Sequence, residues 1–391
     1  MNTIIKLGMH PFADTFISEE QYHLSEPVYP LECVLDKSTG EIKLKFETKD
    51  DDRYNLYSYS YTSSNSKVSL EHWIDYANVV SPFLPSGCKL LEIGSNDGFL
   101  TKQFIDKGYE AQGVDPSKTM AKIAKSRGVE THNVLFGMDS VEMIKNNFGS
   151  VDAVVANNVF NHANDPEDFT KAAVNILNQD GLFIFELPYW LCTIKDYKFD
   201  QIYHEHVTYF TVKYAYSLLK KQGLEIFKIQ VVDYHGGSLR VFSRKKENVK
   251  MNQKVEDMII KEEEFGLFDE DTYLKFMQHL KKNRNNVMSN LYKLKNENIP
   301  IIGIGAAAKA NTFLNFYNID NTILDYVTDA SEYKKGKYTP LTRIPIVGDE
   351  IFDEYDKVYA LVLSWNISSI LVEKIKQINN KVEFLSLEEL L

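Results

Sequence analysis

Residues 89–98, KLLEIGSNDG, decide how this chain is read. Leu90, Leu91 and Ile93 suit a short buried strand. Gly94 permits a sharp turn and lets a ligand lie against the backbone. Asp97 and Gly98 then open a helix, FLTKQFIDKG, whose free N–H groups and positive dipole end face that turn. Strand, glycine turn and helix in this order form the nucleotide-binding unit of open α/β sheets, at the carboxyl ends of the strands.

The following strand adds a second constraint. YEAQGVDPS ends at Asp115, 23 residues after Glu92, with Pro116 next. A carboxylate at that offset can accept hydrogen bonds from both hydroxyls of a ribose. An ordinary strand-end aspartate capping the next helix is the alternative. The spacing acid-x-Gly-x-x-x-Gly (Glu92, Gly94, Gly98) resembles the first motif of S-adenosylmethionine-dependent methyltransferases. It differs from the dinucleotide GxGxxG in having an acid two residues before the first glycine. On that resemblance the expected cofactor is S-adenosylmethionine, held by Glu92, Gly94, Ser95, Asn96, Gly98, Asp115 and Pro116.

Composition narrows the field. The 391 residues suggest two or three domains at about 150 each. A hydrophobic content of 44% is ample for buried cores. With 55 acidic against 44 basic residues, the net charge of −11 argues against general nucleic-acid binding. The first residues lack the apolar core of a signal peptide, and no apolar run approaches the ~20 residues that span a bilayer. Cys33, Cys88 and Cys192 are scattered and form no disulfide framework or metal knuckle. A cytoplasmic protein, monomer or homodimer, is expected.

Taken in order, VYPLECVLD and GEIKLKFET flank LDKSTGE and read as a hairpin. A Tyr/Ser-rich stretch, DDRYNLYSYSYTSSNS, follows; its hydroxyls line a polar pocket or face solvent. From SLEHWIDYANVV onward, the strands LLEIG, EAQGVD, VDAVVANN and GLFIFELP alternate with helical stretches, which implies a parallel sheet covered on both faces. LEIFKIQVVDY and SLRVFSRK, split by HGGS, predict an antiparallel hairpin at the sheet edge. DEDTYLKFMQHLKKNRNNVMSNLYKLK predicts a long amphipathic helix with an acidic cap. Beyond it, IPIIGIGAAAKANTFLN repeats strand, glycine turn and helix. ILDYVTD, KVYALVLSW and VEFLSL supply further strands of a second Rossmann-like unit. Gly303-x-Gly305-x-x-Ala308 matches the loose dinucleotide fingerprint, with Asp329 where a ribose-binding acid would lie.

Three constellations carry chemistry. Tyr203-His204-Glu205-His206 follows GLFIFELP, which puts it at the carboxyl edge of the sheet. Histidine titrates near neutrality and suits removal of a proton beside a carbonyl; a His-x-His metal pair and a buried histidine cluster are the alternatives. Asn157, Asn158 and His162 lie at the same edge and suit cofactor or substrate contacts, or a helix cap. Residues 305–311 with Lys309 offer a phosphate site, or a plain tight turn with an exposed lysine.

These segments together resemble the bacterial sugar C-methyltransferases that act on nucleotide-linked deoxyketosugars. The likeness covers nearly the whole chain: LGMHPFADTFI, YPL, YSYTSSNS, LEIGSNDG, residues 158–162, FELPYW, IYHEHVTYF, HGGSLRVF, GIGAAAKANTFLN and TDASEYKKGKYTPLTRIPI. It implies an N-terminal substrate-binding region over 1–68, a central class I methyltransferase domain with a doubly wound sheet over 69–246, and a helical connector with a C-terminal Rossmann-like domain over 247–391. The family's N-terminal module binds zinc through two Cys-x-x-Cys pairs. This chain starts past the first pair and has Asp36 and Thr39 in PLECVLDKSTGE where the second is expected, so no zinc or other metal is expected. The resemblance further implies His206 as the general base, with Tyr203, Glu205, His162 and Tyr61 around the ketosugar and its enolate. Tyr59, His204, His235, Lys309 and Asn311 are then substrate contacts. The rival functions are O- or N-methylation of another small acceptor, a nicotinamide oxidoreductase suggested by GIGAAA, and a non-catalytic scaffold.

Overall fold

The computed structural model describes residues 1–49, 53, 62, 64, 66–386 and 390. Its first sheet is antiparallel and small. β1 (Asn2–His10), β2 (Tyr29–Asp36) and β3 (Glu41–Leu44) lie side by side. The hairpin read from the sequence joins β2 to β3. In its turn Asp36 accepts hydrogen bonds from the Ser38 amide and hydroxyl, and Thr39 accepts one from the Glu41 amide. Asp36 and Thr39 thus fasten the turn directly.

The central sheet contains β4 (Lys89–Ile93), β5 (Glu110–Val114), β6 (Thr131–His132), β7 (Val151–Asn157), β8 (Leu177–Pro188), β10 (Leu224–Val232) and β11 (Ser238–Lys245). Their order is β10-β11-β8-β7-β4-β5-β6. β8 through β6 run parallel, and β11 and β10 close the edge antiparallel. Successive residues of β4 feed opposite cores. Leu90 packs with Trp73, Tyr76 and Phe104, while Leu91 and Ile93 pack with Ile144, Phe169 and Ile176. A strand covered on both faces needs apolar residues on both, and here only the buried Glu92 interrupts them. The strand order reverses between β4 and its two neighbours, which opens a crevice at their carboxyl ends.

β9 (Thr208–Tyr209) leaves the central region and pairs with β3 of the first sheet. The helix Glu270–Lys295 then leads into an all-parallel sheet of β12 (Ile301–Ile304), β13 (Tyr326–Thr328), β14 (Ile346–Val347), β15 (Val358–Val362) and β16 (Val382–Leu385), ordered β14-β13-β12-β15-β16. The long helix starts at Asp269 as expected, although that side chain makes no cap bond. Its buried residues Tyr273, Phe276 and Leu280 belong to one core with Ile5, Leu31 and Ile42 of the first sheet, Val327 and Leu361 of the last, and Leu314 of the helix Ala308–Tyr317. At about 1.5–3 kcal/mol for each large side chain removed from water, this packing fastens the two ends of the chain to each other.

Candidate active site

The glycine turn after β4 is tight on both sides. Gly94 has φ +68, and a Cβ there would stand 2.6 Å from Val159 Cβ. Gly98 has φ +74, and its Cβ would stand 2.8 Å from Ala124 Cβ. The amides of Gly94 and Ser95 both donate to Val114 O, at 2.8 and 3.1 Å, drawing the turn onto the end of β5. Asp115 follows there. Its Oδ2 accepts from the Asn96 amide at 2.9 Å and its Oδ1 from the Ser117 amide at 2.8 Å. Each oxygen keeps a second lone pair for a ligand hydroxyl. Burial raises the Asp115 pKa, against the lowering pull of those two amides. Close by, Ser95 Oγ and Asn158 Oδ1 are buried with no hydrogen-bond partner. Buried orphan acceptors and donors ask for a polar ligand, so this edge fits the adenosine and amino-acid parts of S-adenosylmethionine. Asn157 ends β7 beside them, whereas Pro116 is exposed.

Glu92 is buried near the end of β4, just before the turn. Its Oε2 accepts a short hydrogen bond from Thr101 Oγ1 in the helix Phe99–Asp106, fixing the helix to the strand. Burial pushes its pKa up to about 8, with the charges of Asp97 and Asp115 adding to the effect and the Thr101 bond opposing it. The folded state therefore holds a proton that the unfolded chain releases near pH 4.5. This stabilises the fold fully below that pH and is lost as pH rises toward 8. Glu92→Gln is expected to flatten the fall in stability between pH 5 and 8, by about 1.4 kcal/mol per pH unit at most. Denaturation midpoints across that range check it; parallel curves for the two proteins would contradict it.

The second half of the site is a cavity of about 460 Å³ between the carboxyl ends of the central and C-terminal sheets. Asn158, His162, Tyr203, Glu205, His206, His235 and Lys309 line it, together with Asp14 from the N-terminal segment. His206 carries a defined tautomer. Its Nδ1 lies 2.9 Å from Gln201 O, and a carbonyl can only accept, so Nδ1 bears the hydrogen. Nε2 then has a free lone pair, which receives the Tyr203 hydroxyl at 2.7 Å. Burial, with the Lys309 charge adding to it, holds the His206 pKa down at about 3 against the raising effect of the Gln201 carbonyl. The His162 ring stands 5.0 Å away, also driven neutral by burial. Glu205 is pushed up to about 7 by burial, although its oxygens accept from the amides of Asp14 (3.0 Å) and Ala13 (3.4 Å). Two cavity residues, Asn158 and His235, hold left-handed backbones at φ 51 without being glycine, a strain that gathers at functional sites.

Some expected residues lie elsewhere. His204 is fully buried outside the cavity. Phe12 and Tyr29 meet its ring edge-on, and its Nδ1 lies 3.3 Å from Pro11 O. The tight turn closed by the His206 amide on Tyr203 O sends the two histidines different ways. His204 thus packs in the core beside Phe12 and Tyr29, outside the cavity lining that holds His206. Asn311 likewise does not line the cavity; its amide donates to Ala13 O at 2.6 Å and ties the N-terminal segment to the C-terminal unit. Tyr59 and Tyr61 lie outside the described residues. Asp14, Tyr234 and Lys334 line the cavity without having been singled out. Asp14 sits inside the quoted HPFAD, but Gln201 acts through its carbonyl, which no residue type signals.

The second glycine turn copies the first. Gly305 donates to Thr328 O, and Asp329 accepts from the amides of Ala306 (3.0 Å) and Ser331 (2.9 Å). Here Lys334 Nζ also reaches Asp329 Oδ2 at 3.3 Å, so the acid that would hold a dinucleotide ribose is paired within the protein. Among the described residues, no group of three or more His, Cys, Asp or Glu side chains converges as a metal site, and no helix is long and apolar enough to cross a membrane.

Residues 66–229 match the family model of a methyltransferase domain, and residues 233–385 match that of a C-methyltransferase C-terminal domain. The chain is 26% identical over 375 residues to the C-methyltransferase NovU of Streptomyces niveus, covering 96% of this chain and 89% of that protein. A ubiquinone biosynthesis O-methyltransferase of Xanthomonas axonopodis is 27% identical over 106 residues, 26% of this chain and 44% of that one. Among solved structures, a magnesium protoporphyrin IX methyltransferase of Synechocystis superposes with a TM-score of 0.38 at 12% identity, over 48% of this chain and 90% of that one. A methyltransferase of Thermotoga maritima gives 0.36 at 22%, over 45% and 89%. The two family models in tandem, spanning both glycine turns and the cavity between them, make this chain an S-adenosylmethionine-dependent C-methyltransferase.

Proposed function

We propose that the chain methylates the carbon beside the ketone of a nucleotide-linked sugar. The observation that carries this reading is the His206 tautomer: a neutral imidazole with Nδ1–H given to Gln201 O and Nε2 open to a proton, on the wall of the cavity. A carbon acid needs such a base before its carbon can act as a nucleophile. S-adenosylmethionine, when bound, supplies an electrophilic methyl group. The residues to hold it are the turn at Gly94, Ser95 and Asn96, Asp115, and Asn157 with Asn158. Tyr203, freed from His206 Nε2 as the substrate enters, donates to the ketone oxygen. Glu205 holds the Asp14 amide and so fixes the N-terminal wall of the cavity. The cavity lining, which includes both His162 and the second glycine turn at Gly305, supports an acceptor with a nucleotide part.

The test is incubation of the purified protein with S-adenosylmethionine and a panel of nucleotide-linked ketosugars. One added methyl, shown by NMR to be on carbon, is expected; a methyl on oxygen or nitrogen would overturn the reading. Asp115→Ala is expected to weaken S-adenosylmethionine binding about 10- to 100-fold, because a charged hydrogen-bonding group is worth about 1.5–3 kcal/mol. Calorimetric titration checks this, and unchanged affinity would remove Asp115 from the cofactor site.

A further inference from the structure

Three lysines line the cavity, and two of them are neutralised where they stand. Lys334 donates to Asp329 at 3.3 Å and to Ala306 O at 2.7 Å; Lys374 donates to Asp349 at 2.5 Å. Lys309 differs. Its Nζ lies 3.3 Å from His235 Nδ1 and 5.1 Å above the Trp365 ring, with no carboxylate at ion-pair distance among the described residues. An ammonium has three donors, so a ligand in the cavity can still take two. The indole face attracts the cation without accepting its proton in a conventional hydrogen bond.

The frame around this ammonium is rigid. Trp365 Nε1 donates to Asp200 Oδ2 at 2.5 Å, and Asp200 is the buried negative charge that Lys309 feels at longer range. Gln201 Nε2 donates to His235 O at 3.0 Å. Gln201 thus supports both partners: its side chain holds the residue under Lys309, and its carbonyl sets the tautomer of His206.

We propose that the Lys309 ammonium binds the ketone oxygen of the methyl acceptor and carries the charge of the enolate, and that it is not a phosphate contact. The proposal rests on the acceptor reading given above. In the step it serves, the C–H bond beside the ketone breaks and the proton goes to His206 Nε2. The C–H electron pair becomes the carbon–carbon π bond, and the carbonyl π pair moves onto oxygen. One imidazolium and one enolate form from two neutral partners, and the new negative charge lies against Lys309. Donors fixed in advance at the site of developing charge are the usual means of lowering such a barrier.

The test uses the full chain with Lys309→Met, and Lys309→Gln as a second variant should the first fail to fold. Three quantities are read: exchange of the proton beside the ketone in heavy water without S-adenosylmethionine, kcat and KM for methyl transfer, and inhibition by a nucleoside diphosphate lacking the sugar. Expected is a loss on the order of 10²-fold in both exchange and kcat, with little change in KM or inhibition. Retained exchange with weakened inhibition would make Lys309 a phosphate contact and overturn the proposal. Absence of exchange and methyl transfer in the unaltered protein would instead overturn the acceptor reading.

Discussion

Replacing His206 with asparagine is expected to slow methyl transfer on the order of 10²- to 10⁴-fold, as for the loss of a positioned general base, while cofactor affinity holds. The asparagine amide can still donate to Gln201 O, which His206 Nδ1 meets at 2.9 Å, so the local fold survives. The glycine turn and Asp115 lie elsewhere, just past the ends of β4 and β5. What is lost is the Nε2 lone pair. With its pKa held down at about 3 by burial, His206 stays neutral across the working range. Activity should therefore show no acid limb near pH 6.5, where an ordinary histidine would titrate. Burial disfavours the imidazolium only while no anion stands beside it; the enolate formed in the same step provides one, at a low dielectric that strengthens the attraction. Single-turnover rates, heavy-water exchange and calorimetry separate chemistry from binding. Near-normal turnover in the variant would move the base to Glu205 or His162.

Glu186→Ala is expected to cost about 3–5 kcal/mol of stability, the usual loss when one partner of a buried ion pair is removed. Glu186 lies two residues before the end of β8 with no exposed surface. Its Oε2 accepts from Arg240 Nε at 2.5 Å and its Oε1 from His72 Nε2 at 2.7 Å. Arg240 is 2% exposed and lies against the Tyr76 ring, so it cannot turn to water. His72 stacks on Tyr234 at 3.6 Å, a residue that lines the cavity. Without the carboxylate an arginine charge is left buried beneath the active site. Glu186→Gln, which keeps one acceptor, should fall between. Urea midpoints measure both, and a loss below about 1 kcal/mol, the range of exposed pairs, would show that Arg240 reaches solvent after all.

Asp115 was legible because its chemistry is local: a carboxylate at a strand end beside a glycine turn meets the amides of Asn96 and Ser117, all within one supersecondary unit. His206 was legible as a histidine after a strand edge. That His204, two residues earlier, turns into the core was not, because Pro11 and Phe12 from the far end of the chain decide it. β6, β9 and β14 have two residues each, too few to show any periodicity. The phosphate reading of Lys309 followed from its place at a helix start. Its surroundings, Trp365 and His235, come from other segments and point to a different partner. The domain limits at 68 and 246 came with the resemblance; the packing that joins the first sheet to the last brings together residues too far apart in sequence to signal it.

That joining sets an order of events at the ribosome. Asn311 closes on Ala13 across 298 residues of sequence. At 5–20 residues per second, about 15–60 s separate the emergence of the two. β1 and β2 are made first, yet the core they share is completed only when Tyr273, Phe276 and Leu314 join Ile5 and Leu31. The central sheet can form meanwhile, with the opening strands waiting outside it. A chain stopped before the long helix would thus own a complete glycine turn and Asp115, and still present a partly uncovered apolar sheet to whatever chaperone meets it.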